Sequence, residues 1–248
     1  MDMKAEVKLL VQQVVEAYVK DQLQKESKTQ AAILLGYPSV NPTEVINTIL
    51  PLLDSYDLTF LITKEWLTSF PELNEKHCLI LEETSSQELK EIVECTSILV
   101  IPVASYQLLA KLALTMDDEV PVWLAIQFQL QGKPIVIASN HIEPNVYQQI
   151  KAPFTVQERI QDYIRQIRAD QVKWEPLSKL PVVVDHQLII FREKQPLILG
   201  KHIEIAHQEG LRKLDIPQKS RITPMAKDLA KELTVELINK DSLKGGEL

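Results

Sequence analysis

The stretch Ile98–Leu114, ILVIPVASYQLLAKLAL, changes character in its middle. Ile98 to Ala104 is a short, uninterrupted apolar run, the pattern of a strand covered on both faces in a parallel sheet. Ser105, Tyr106 and Gln107 form a small polar loop, and Leu109 to Ala113 then read as the packed part of a helix. A strand, a polar loop and a helix in succession is the repeating unit of an open α/β sheet. The loop is where such sheets hold ligands.

The same alternation extends to both sides. Ala31–Gly36 (AAILLG) reads as a central strand ending in glycine. Tyr37–Val40 is a loop, after which Asn41 is placed to cap a helix, with Pro42 at its first position and Glu44 as a capping-box partner. Val45, Ile46, Ile49, Leu50, Leu52 and Leu53 supply that helix's buried face. Further strands are expected at 58–62, 77–81, 98–102 and 134–138, and further helices at 87–95 and 120–131. Gly132 stands at the C-cap of the latter. The expected architecture is a flavodoxin-like, three-layer α/β fold around a parallel sheet.

The flanks read differently. Val7, Leu10, Val11, Val14, Val15, Tyr18 and Val19 share one face of an amphipathic helix over residues 4–25, joined by a polar linker. After residue 152 the pattern becomes mixed. A helix is expected at 156–170, two strands at 181–184 and 187–191 joined by a turn at Asp185-His186, a strand near 197–200, a helix from Thr223-Pro224 and a strand at 235–238. The reading is therefore a helix and linker over 1–29, an α/β domain over 30–152 and a small α+β region over 153–248.

Composition narrows the function. The 248 residues carry a formal net charge of −7, with 45% apolar and 25% charged residues, so no basic surplus exists to engage a nucleic-acid backbone. No apolar run reaches membrane-spanning length. The two cysteines, Cys78 and Cys95, have neither disulfide nor zinc spacing. A soluble protein of a reducing cytoplasm is expected. Asp117-Asp118-Glu119 reads as a charged turn before Pro121, so no metal site is expected.

Residues 97–140, SILVIPVASYQLLAKLALTMDDEVPVWLAIQFQLQGKPIVIASN, resemble the homo-oligomeric FMN-containing cysteine decarboxylase family of flavoproteins. Pro102, Ala104-Ser105, Leu109–Ala113, Asp117-Asp118 and Gly132–Ile135 carry the resemblance in order and spacing. It implies FMN, with Gly36 and Ser39 on the phosphate side. Pro102, Ala104, Ser105 and Tyr106 would lie on the ring side, with Ser139 and Asn140 across the cleft. It also implies a trimer or higher homo-oligomer with the site at a subunit boundary.

The first loop, GYPSVNP, departs from the family's Gly/Ser-rich cradle. Its two prolines lack N–H groups, and Glu44 opposes an anion in the first helical turn. Tyr106-Gln107 replaces the family's Asn-Thr. No histidine matches the family's catalytic one, since His77 and His141 are read as lying elsewhere, so cysteine decarboxylation is not expected.

Two further resemblances point to context. Ile222-Thr223-Pro224, Ala226, Asp228 and Ala230 are similar to an element of ethanolamine- and propanediol-utilisation proteins. Residues 6–23, EVKLLVQQVVEAYVKDQL, resemble the encapsulation peptides of bacterial microcompartment cargo. Together these imply a flavoprotein-like protein of ethanolamine utilisation inside a bacterial microcompartment, with residues 4–25 contacting shell or cargo proteins. Its role is either an accessory redox function on FMN or that of a flavin-free scaffold or adaptor.

Overall fold

The computed structural model describes residues 28–70, 73, 77–217 and 219–240. The amphipathic helix read at 4–25 lies outside the described residues. The first compact unit runs to Leu188 and the second from Ile189.

In chain order the first unit contains β1 (Gln30–Leu35), α1 (Pro42–Ile49), α2 (Leu52–Ser55), β2 (Asp57–Ile62), α3 (Lys64–Ser69), β3 (Cys78–Ile80), α4 (Ser86–Cys95) and β4 (Leu99–Ile101). It continues with α5 (Tyr106–Ala113), α6 (Val120–Leu130), β5 (Ile135–Ala138), α7 (Val146–Lys151), α8 (Phe154–Ala169), β6 (Lys173–Glu175) and most of α9 (Leu180–Glu193). The six strands form one sheet in the order β3-β2-β1-β4-β5-β6, with every pair parallel.

Two apolar layers sandwich the sheet, because successive strand side chains point to opposite faces. Ala31, Ile33 and Leu35 of β1 join Val45 and Ile49 of α1, Trp66 of α3 and Leu180 and Val184 of α9. Ala32 and Leu34 face the other way, toward Leu89 of α4, Leu108 and Leu112 of α5, Phe128 of α6 and Ile164 of α8. The flavodoxin-like, three-layer parallel sheet expected from the sequence is thus present. Its order reverses between β1 and β4, so the chain leaves β1 toward one layer and β4 toward the other. In open α/β sheets a switch point of this kind is where ligands bind, outside the carboxyl ends of the strands.

Several local expectations are corrected. The strands read at 181–184 and 187–191 are one helix, α9. The β-branched run favours strand locally, but Leu180, Val184, Gln187 and Leu188 recur at helical spacing, and all four are buried. Packing against the sheet overrides intrinsic preference. β6, only three residues long with Trp174 as its buried member, is a strand beyond those the sequence predicts. It extends the sheet beyond β5, so α8 and β6 belong to the first unit although the sequence divides the chain at 152. Asn41 stands at the N-cap of α1 without bonding the backbone there. Its Nδ2 donates to Glu44 Oε2 at 2.8 Å instead.

The second unit has two parallel pairs, β8 (Lys213–Pro217) with β10 (Glu236–Lys240) and β7 (Leu197–Ile198) with β9 (Arg221–Ile222). Around them pack α10 (Gly200–Gln208) and α11 (Pro224–Glu232), through Ile203, Ala206, Ala226 and Ala230. Thr223 caps α11 by accepting from the Ala226 N–H at 3.3 Å. That bond accounts for the Thr-Pro signal.

The Gly132-Lys133-Pro134 block has a structural use. Gly132 adopts φ 65° just past α6, a conformation that favours glycine. The Lys133 ammonium donates to the carbonyls of Val93 and Glu94 in the last turn of α4. Burial pushes Lys133 down to about 8, from 10.5 for a free lysine. Between those values the unfolded chain keeps a proton that folded Lys133 releases, so this group makes stability rise with pH across that window. Tyr37, raised by burial and by Glu119, acts in the opposite direction only above the ordinary tyrosine range. Burial likewise raises the Cys78 thiol from 9.0 to about 11, which opposes the gain above pH 9. Urea unfolding from pH 8 to about 9 is therefore expected to show a stability gain that Lys133→Met lacks.

Candidate functional site

The loop after β1 is fixed by close packing. Gly36 has ordinary φ, yet a Cβ there would lie 2.8 Å from Pro121 Cγ, so the glycine is needed for the approach of β1 to the start of α6. Trp66 Nε1, from a buried ring, donates to the Tyr37 carbonyl at 2.8 Å. Tyr37 then reaches back to the second layer. Its hydroxyl donates to Glu119 Oε2 at 3.5 Å and interacts with the Ser105 hydroxyl.

Glu119 is the centre of a polar cluster at the N-cap of α6. Lys111 Nζ donates to it at 2.6 Å and to Asp118 at 2.8 Å, and the Gln107 amide also donates to Glu119. Bonding to Asp118 and Glu119 raises the Lys111 ammonium, and Lys111 in turn holds Asp118 below the usual carboxylate range. Asp118 and Glu119 are thus engaged by a lysine. This is the physical content of the charged turn read at 117–119.

The residues proposed from the sequence for the β4 loop divide by exposure. Pro102 and Ala104 are buried beneath the loop. Ser105 caps α5 by accepting from the Leu108 N–H at 3.0 Å. Tyr106, the first residue of α5, is 47% exposed. In the β5 loop Ser139 is buried. Asn140 accepts the Leu177 N–H at 2.7 Å through its amide oxygen, which anchors the segment after β6.

The structure also assembles what the sequence reading kept apart. His141 Nε2 lies 3.4 Å from Ser39 Oγ, so the histidine read as lying elsewhere meets the first loop. The reason is topological. Only β4 separates β1 from β5, so their loops meet over its end. The available signal was position alone: His141 directly follows the Ser139-Asn140 pair at the end of a strand. His77 is indeed elsewhere, its Nδ1 3.0 Å from Thr59 Oγ1 near the beginning of β2.

The FMN implied by the resemblance fits this site in part. Ser39, His141 and Tyr106 present hydroxyl and imidazole groups that suit the polar edges of an isoalloxazine ring and a ribityl chain. The phosphate is not matched, because Glu44 occupies the first turn of α1, bonded to Asn41. Among the described residues no group of three or more His, Cys, Asp or Glu side chains could hold a metal ion, and no helix is long and apolar enough to cross a membrane.

No family model matches the chain, and no curated protein matches it. Among solved structures it is similar to apo DmrB from Burkholderia xenovorans, described as a cubic protein cage for redox transfer. That likeness has a TM-score of 0.53 at 16% identity and covers 67% of this chain and 99% of DmrB. The FMN complex of DmrB gives 0.50 at 14% identity, over 67% and 99% of the two chains. The FMN-dependent cysteine decarboxylase SpaF gives 0.49 at 16% identity, over 67% and 98%. At these identities the DmrB likeness establishes the fold alone: over 67% of its length this chain carries the three-layer parallel α/β architecture of that redox-cage protein.

Proposed function

We propose that this chain is a flavoprotein that holds FMN at the crevice between β1 and β4, with an accessory redox role. The observation that carries the reading is the meeting of the β1 and β5 loops at the switch point, where Ser39 lies 3.4 Å from His141, together with an exposed Tyr106 at the start of α5 after β4. DmrB, which shares the fold, has been solved with FMN. Ser39 and His141 would bond the flavin's polar edge, Tyr106 would pack beside its ring, and Ser105 and Asn140 would hold the loops in place. When bound, the flavin would supply the electron chemistry.

The reading extends to a homo-oligomer with the site at a subunit boundary. Val146, Tyr147, Ile150 and Phe154, in and just after α7, are all at least 60% exposed, and they follow closely on the β5 loop. Such an apolar row next to a ligand crevice is the surface a second copy would cover. The ethanolamine-utilisation and microcompartment context rests on residues 4–25 and on the Thr223-Pro224 element. A reporter fused to residues 4–25 should concentrate in microcompartments, and a diffuse signal would remove that part of the proposal.

The purified protein is expected to show flavin absorption, or to quench added FMN if colourless. Ser39→Ala with His141→Ala should weaken flavin binding about five- to tenfold, the loss of one or two polar contacts. Absence of any binding favours the second reading, a flavin-free scaffold or adaptor. One observation supports that alternative: carboxylates stand at the starts of two helices beside the β1 loop, Glu44 on α1 and Glu119, which meets Tyr37, on α6.

A further inference from the structure

The loop after the first strand of an α/β sheet ordinarily receives an anion on free N–H groups at the next helix start. In this chain that loop offers fewer such donors. Pro38 and Pro42 have no N–H to offer. The Asn41 N–H is directed to Ser39 Oγ at 3.2 Å. The Asn41 side chain then holds Glu44 at 2.8 Å, which keeps a carboxylate on the first turn of α1. Among the described residues Glu44 pairs with no lysine or arginine. Lys111 reaches this edge only through Glu119, and Asp118 and Glu119 together more than neutralise it. Glu44 therefore keeps an unpaired carboxylate on the first turn of α1, while Asp118 and Glu119 share one ammonium.

From this charge pattern, and resting on the flavin reading above, we infer that the crevice recognises the uncharged body of a flavin and gains nothing from its phosphate. Riboflavin then binds at least as tightly as FMN. Ser39, His141 and Tyr106 address the ring and ribityl chain that both molecules share. The phosphate adds nearly two negative charges at neutral pH, close to carboxylates that repel it. Such repulsion acts through solvent, so salt screens it.

The test is a fluorescence titration of the full-length protein with riboflavin and with FMN at pH 8, in about 20 mM and about 300 mM salt. At low salt the riboflavin Kd is expected to equal the FMN value or to lie below it by up to about threefold. Added salt should tighten FMN binding and leave riboflavin unchanged. Glu44→Gln, at an exposed position that leaves the core intact, should tighten FMN about twofold without moving riboflavin. FMN binding more than about twofold tighter than riboflavin at low salt, or weakening as salt rises, overturns the inference. Failure of both flavins to bind is a different result and sinks the flavin reading itself.

Discussion

Phe128→Ala is expected to lower the unfolding free energy by about 3–5 kcal/mol, the range for emptying a fully enclosed aromatic site. Phe128 has 0% exposure and lies in α6, which is apolar around most of its circumference because it packs against α4, α5 and β5. A helix enclosed on several sides cannot relax into the space left by a lost ring, so the cavity cost adds to the transfer cost. Lys133 Nζ sits 5.9 Å from the centre of the same ring, so the ammonium also loses a favourable neighbour. Urea denaturation should show a lower midpoint with an unchanged slope. A loss below about 1.5 kcal/mol would mean that α6 repacks freely, contrary to the enclosure described.

Gly36→Ala is expected to cost about 1–3 kcal/mol, from overpacking and not from lost burial. The added methyl would meet Pro121 Cγ at 2.8 Å and Cβ at 3.1 Å, and a proline ring has no rotamer by which to withdraw. The strain would push the start of α6, and Glu119 with it, away from the β1 loop. The Tyr37–Glu119 contact should therefore loosen, and flavin binding should weaken with stability. Pro121→Ala in the same chain restores space, so the double variant should recover more than half of the loss. A purely additive double-mutant cycle would show that the clash is not the cause.

The lysine, glycine and aromatic positions behind these expectations differ in how visible they were. Gly132 and Thr223-Pro224 could be read because helix ends obey local rules that need no knowledge of the rest of the fold. Ser39, Ser105, Tyr106 and Asn140 could be placed at loop ends because the alternation of strands and helices fixes which loops share an edge. What each side chain does there was not readable. Ser105 and Asn140 look like ligand donors in sequence, whereas one caps α5 and the other anchors Leu177.

His141 is the reverse case, a polar residue assigned elsewhere that meets Ser39 across about a hundred positions of chain. Its partner depends on strand order. An apolar run declares that it is a strand, but not which strand it will lie beside. The same limit hid β6, whose three residues carry too little periodicity to be recognised and are strand only because β5 offers them an edge.

By itself, then, the sequence determined the layered α/β architecture, the positions of the helix caps and the lack of a basic surplus, since each follows from local periodicity or composition. Tertiary structure alone decided that 180–193 is helix, that β6 completes the sheet, that His141 joins Ser39 and that Lys111 is taken up by Asp118 and Glu119. Those outcomes depend on which surfaces meet. A buried sheet face selects a helical stripe over β-branched preference, and neighbouring strands bring distant loops within a hydrogen bond of each other.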